Sequence, residues 1–151
     1  MPAGRNFIID QLTTMTLNWT TIGIWALRII AAFLLLQTLF FKFTGAEESI
    51  YIFSTLGMEP WGRIGSGVLE LIASILILYP RTTYIGAALG AGLMAGAIFF
   101  HLTTKLGISV LGDGGQLFIY ALLVFSCCVI LLFIYRGQIS SLLKMIFGKN
   151  I

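Results

Sequence analysis

The chain has 151 residues, 58% of them hydrophobic and only 10% charged. Soluble domains run at about 45–50% apolar and about 25% charged, since a chain of this size keeps much of its surface in water. Nine Lys/Arg and six Asp/Glu cannot supply that surface, so a water-soluble fold is excluded; the net charge of +3 is too scattered to form a nucleic-acid-binding face.

The composition implies a single integral membrane domain over residues 1–151, all-α, built as a four-helix bundle. The N-terminal stretch MPAGRNFIIDQLTTMTLNW lacks the unbroken apolar run and small-residue cleavage site of a signal peptide. The first hydrophobic segment is therefore expected to remain as a span. Residues 6–18 are weakly amphipathic and are expected to form an interfacial helix. A span needs roughly 17–25 mostly apolar residues, and the first is expected over about residues 22–41.

The next stretch, AEESIYIFSTLGMEPW, is too long and apolar for a plain loop. It predicts a short interfacial or re-entrant helix over residues 46–56. Glu47 and Glu48 stand in its first turn, where acids favour the helix dipole, and Gly57 stops it. The second span is expected over 62–79. Pro80 and Arg81 then leave room only for a tight turn, so the second and third spans must be antiparallel neighbours. Running both together as one helix would strand Arg81 in lipid and break at Pro80.

The third span, 83–102, carries Gly86-x-x-x-Gly90 and Gly92-x-x-x-Gly96 among several alanines. Small residues four apart let helix backbones approach, within the bundle or in a homodimer. The fourth span is expected over 117–135, and the tail 138–151, alternating Ile/Leu with Lys, as a surface anchor. With the N-terminus inside, Arg5, Arg81, Arg136, Lys144 and Lys149 face the cytoplasm, against Lys42, Arg63 and Lys105 outside. That bias puts both termini in the cytoplasm.

Charges inside a span are costly, about 2.5–3.5 kcal/mol each on insertion scales. Arg28 and Glu70 both stand inside spans, and Gln37 adds an amide. At about 1.5 Å per residue Glu70 lies about 10 Å below Arg63, and Gln37 falls at a similar depth. Arg28 lies nearer the inner side, with a guanidinium long enough to reach toward Glu70. Lys42, His101, Asp113 and Gln116 converge on the outer mouth. If the bundle closes in this way, these groups rim an outward-opening polar pocket floored by Glu70.

Each group also has a plain structural reading. Glu70 and Arg28 serve equally as a structural ion pair, His101 as an interfacial residue and Lys42 as a snorkelling span terminator. Asp113-Gly-Gly reads as a turn and a cap for the fourth helix. Cys127 and Cys128, adjacent in an apolar run, read as packing residues. One His without a ligand-spaced partner gives no metal site.

The run GSGVLELIASILILYPRTTYIGAALGAGLMAGAIFFHLT, Gly65–Thr103, resembles the central part of DoxX-like membrane proteins. LRIIAAFLLLQTLFFKFTG, Leu27–Gly45, resembles that family's first helix, and GDGGQLFIYALLVF, Gly112–Phe125, the start of its fourth. The likeness spans about Leu27 to Arg136, departing at Ala31, Ala32 and Gln37, where many members carry glycines. It implies a four-helix bundle of a prokaryotic inner membrane, with Arg28, Lys42, Glu70 and His101 at the family's polar positions.

The function implied is a membrane subunit or anchor of a quinone- or thiol-linked redox system. Such a chain is at most a non-catalytic or quinone-site subunit of an oxidoreductase. Its partners are the bilayer and a redox protein, and a quinone is the candidate ligand. The electron chemistry then lies outside the chain. Two further readings stand beside this one: a non-enzymatic carrier or binder of a small lipophilic molecule, and a structural or assembly factor.

Overall fold

The computed structural model describes the backbone of residues 3–137 and the side chains of residues 19–137. Five helices follow one another: α1 (Ala3–Thr44), α2 (Glu47–Thr55), α3 (Trp61–Leu78), α4 (Thr83–Thr103) and α5 (Gln116–Ile134). The described residues contain no strand. Four stretches are long and apolar enough to cross a membrane: Trp19–Thr44, Trp61–Leu78, Thr83–Thr103 and Gln116–Ile134. They fall on the four spans expected from hydropathy.

The interfacial helix expected over 6–18 is not a separate element. That segment is helical, but it is the beginning of α1, which runs unbroken into the first span. The physical reason is the lack of any Gly or Pro between Arg5 and Gly23 to interrupt the backbone bonds. The tail anchor expected over 138–151 lies outside the described residues.

Helices α1, α3, α4 and α5 close a ring in which each packs on its two neighbours, and α2 rests on α1 and α3 at one end. Gly57, at φ 69°, turns the chain out of α2 in a left-handed conformation that glycine adopts without steric cost. The core is made of small and branched side chains, among them Ala31, Ala32, Leu35, Ala73, Ile77, Ala87 and Cys128. Large apolar side chains such as Phe33, Phe40, Ile75 and Phe133 point outward. An outer face of this kind is a liability in water and is at home in lipid.

The two glycine pairs of α4 do different things. A Cβ on Gly86 would lie 2.5 Å from the Ile77 nitrogen and 2.8 Å from the Ala73 oxygen, so here α4 meets the backbone of α3. A Cβ on Gly90 would lie 3.0 Å from Cys128 Sγ. That first pair is used inside the bundle. At Gly92 and Gly96 a Cβ would meet nothing within 4 Å.

Candidate functional site

At the α2 end the helices part around a cavity of about 630 Å³. Gln37, Lys42, Glu70, His101 and Asp113 all border it, while Arg28 does not. Most of the remaining wall is apolar or glycine, contributed by all five helices, by Leu56 and Met58 between α2 and α3, and by Leu106 of the α4–α5 loop.

Glu70 is the most buried acid on that wall, at 3% exposed. Its Oε1 accepts a hydrogen bond from the Lys42 ammonium. Its Oε2 lies 2.9 Å from the Thr38 hydroxyl, whose oxygen is also 2.8 Å from the Leu35 carbonyl. A hydroxyl has one proton, so Thr38 serves one acceptor at a time. Lys42 belongs to the last turn of α1 and turns its chain inward. It is thus an ion-pair partner, and reading it as a snorkelling terminator is corrected.

The pairing of Arg28 with Glu70 is corrected as well. Arg28 stands fourteen residues before Lys42, about 21 Å away along α1, at the level of the opposite end of α3. There its Nε donates to the Ile77 carbonyl at 2.8 Å and its Nη2 to the Leu78 carbonyl. The guanidinium also lies 4.0 Å over the Trp25 ring. The last carbonyls of a helix have no partner within it, and in lipid each one left bare costs several kcal/mol. Arg28 therefore caps α3, together with the hydroxyls of Thr82 on Leu76 and Thr83 on Ile77.

Arg63 does the reciprocal task at the cavity end. Its guanidinium donates to the Lys42 carbonyl in the last turn of α1, and holds both Glu59 oxygens at 2.7–3.0 Å. Each of the two antiparallel helices thus offers an arginine to the C-terminal carbonyls of the other.

His101 is 6% exposed and closes the top of the α4 wall. Its Nδ1 is 2.6 Å from the Gly107 carbonyl, which can only accept, so Nδ1 carries the proton. In the neutral ring Nε2 is then the basic nitrogen, and it has no bonded partner among the described residues. The ring packs edge-on to Phe118, with centroids 5.5 Å apart.

Asp113 organises the α4–α5 loop. Oδ1 accepts the Val110 and Gly115 amides at 2.8 Å each, and Oδ2 accepts the Leu117 amide at 3.0 Å. Burial pushes its carboxyl up, but the amides of Leu117, Gly115 and Val110, with the Ser109 hydroxyl, outweigh burial and hold it below the ordinary range. Asp113 is therefore an ionised cap on the cavity rim, with its oxygens already committed. Among the described residues, no three His, Cys, Asp or Glu side chains converge as a metal site would require.

The model of the DoxX-like family matches residues 26–131. The chain belongs to the DoxX-like family. That match covers α1 from the turn before Arg28 through most of α5, and so includes every residue bordering the cavity. Comparison with curated proteins and with solved structures gives no match.

Three features at the cavity end of this DoxX-like bundle emerge only with the structure: a second partner for Glu70, the Glu59–Arg63 pair beside the cavity, and bare ground on α4. Thr38 shares a face of α1 with Lys42 at i,i+4, a spacing visible in the sequence. The Glu59–Arg63 pair carries the same spacing across the start of α3. The open ground at Gly92 and Gly96 carries no such signal, because a glycine pair reads alike whether it is packed or bare.

Proposed function

We propose that this multi-pass membrane protein is the membrane subunit of a quinone-linked redox system, and that the cavity holds the lipid-soluble carrier. The observation that carries the reading is the meeting of the Lys42–Glu70 pair and His101 at a 630 Å³ cavity with otherwise largely apolar walls. Ligand sites are typically apolar clefts of about 300–1,000 Å³ with a few convergent polar groups.

A quinone head fits that donor set. The Lys42 ammonium has three protons and spends one on Glu70, leaving donors for a carbonyl oxygen. His101 Nε2 accepts from a ring hydroxyl. The Glu70 carboxylate, released from Lys42, takes a proton at Oε1. When bound, the quinone would supply the electron chemistry, exchanged with a partner protein. Cys127 and Cys128 lie in the core behind Gly90, away from the cavity wall, which favours a quinone over thiol chemistry of the chain's own. The sequence bias of five Lys/Arg (Arg5, Arg81, Arg136, Lys144 and Lys149) against three at the cavity end (Lys42, Arg63 and Lys105) supports a topology with cytoplasmic termini and the cavity toward the outer face of an inner membrane.

Mass spectrometry of the purified protein tests the reading. Wild type is expected to carry quinone, and the Lys42→Met/Glu70→Gln double variant to lose it. Quinone at background level in wild type, or equal occupancy in both proteins, would overturn the reading. A second reading, a non-enzymatic carrier of a small lipophilic molecule, uses the same cavity and rests on its largely apolar wall. Equal affinity for oxidised and reduced quinone would decide for the carrier.

A further inference from the structure

The wall of the cavity reaches further round the helices than an enclosed pocket needs. At 3.6 residues per turn, Gly92 and Gly96 each lie roughly 160° round α4 from Met94, which points into the core. They are close to the outer face, yet both border the cavity. Gly65 lies roughly 140° round α3 from the buried Glu70 and borders it too. A space confined to the bundle axis would touch inward positions only. This one runs sideways between α3 and α4.

The glycines explain why the helices part there. Beside the Pro80 turn, Gly86 lets α4 touch the backbone of α3. Toward the other end, a Cβ at Gly65, Gly92 or Gly96 would meet nothing within 4 Å. The pair is pinched at the turn and diverges toward α2. All three glycines lie within membrane-spanning segments, so the gap faces lipid. At its inner end stands His101, nine-tenths buried, with Nε2 unbonded among the described residues.

We infer that the α3–α4 gap is a lateral portal through which a tailed ligand enters from the bilayer. The head passes to Lys42, Glu70 and His101, and a single hydrocarbon chain lies in the groove over Gly92 and Gly96. The inference rests on the proposal that the cavity holds a quinone, and adds the route and the place of the tail. Lipid is as apolar as the groove, so the chain gains little by leaving the bilayer. The groove therefore selects by shape.

The test uses the full chain in lipid nanodiscs and two probes, a prenylated benzoquinone and the same ring without its tail. Gly92→Leu/Gly96→Leu fills the groove. Leucine favours helix over glycine and meets open space, so the variant is expected to melt no lower than wild type. Its affinity for the tailed quinone is expected to fall about tenfold or more, as overfilling a fitted site does. Its affinity for the bare ring is expected to stay within about twofold.

Gly65→Leu, on the facing wall, is expected to split the two probes in the same way. An unchanged affinity for the tailed quinone, or an equal loss for both probes, overturns the portal while leaving the cavity as a quinone site. A wild-type dimer that the leucines dissociate also overturns it, since the groove is then a seam between two copies. If wild type binds neither probe, the quinone reading itself falls and the portal falls with it.

Discussion

Replacing Lys42 with Met leaves the Glu70 carboxylate, 3% exposed, with the shared Thr38 hydroxyl as its remaining partner. Removing one member of a buried pair typically costs about 3–5 kcal/mol, because the other charge stays desolvated. The reverse change is gentler. In Glu70→Gln the ammonium sits in the last turn of α1 on a flexible stem, with its side chain already 15% exposed, and it can turn outward to water. That loss is expected at about 1–2 kcal/mol, the scale of a hydrogen bond to a charged group.

The double variant Lys42→Met/Glu70→Gln removes both charges and is expected near the Glu70→Gln value, giving a coupling of about 3–5 kcal/mol, the size of the Lys42→Met loss itself. Reversible unfolding in mixed micelles, followed by circular dichroism through all four corners of the cycle, measures it. Polar contacts between membrane helices average only about 0.6 kcal/mol in such cycles. A coupling at that level, or equal losses in the two single variants, would refute the assignment of Lys42–Glu70 as a desolvated pair.

Arg28→Met uncovers the Ile77 and Leu78 carbonyls and is expected to destabilise the bundle by about 2–4 kcal/mol in the same unfolding assay, leaving ligand affinity unchanged. Arg28→Lys should not rescue it, since a single ammonium cannot bridge two carbonyls and stack on Trp25. Gly86→Ala drives a Cβ to within 2.5 Å of α3 and is expected to lower stability by about 1–3 kcal/mol. Gly92→Ala meets open space and should be neutral or slightly stabilising, so comparing their melting points tests the assignment of the two glycine pairs. Asp113→Asn keeps one acceptor oxygen and loses the other, so faster hydrogen exchange is expected at the Val110, Gly115 and Leu117 amides, with a loss of about 1 kcal/mol. Because the folded carboxyl lies below its ordinary 3.8, this contribution is complete above that value and disappears as pH falls through the folded value. The difference between wild type and variant should therefore be constant across neutral pH and narrow only in strong acid.

Much of this protein is legible in its sequence because membrane insertion acts residue by residue. A span declares itself by length and hydropathy, Pro80 and Gly57 mark their breaks, and Glu47 and Glu48 mark the start of α2. Charges within spans stand out for the same reason, and so Glu70, Lys42 and His101 can be singled out before any geometry is known. The partner of each charge is not legible in that way. The sequence points to Arg28 as the partner of Glu70 and the structure supplies Lys42 instead, because the choice turns on how far α1 slides along α3. With α1 running to Thr44, Lys42 comes level with Glu70 and Arg28 level with the end of α3.

By itself, then, the sequence determined the class, the four spans, the short helix between the first two, and the family. Those follow from the cost of placing polar groups in lipid and from local backbone preferences, both properties of a residue and its neighbours. Only the tertiary structure decided that Arg28 caps α3, that Gly86 is packed while Gly92 and Gly96 stand open, and that the polar groups border one cavity. These depend on the rotation and offset of one helix against another. Contacts between residues far apart in the chain set those quantities, and periodicity along a single helix does not contain them.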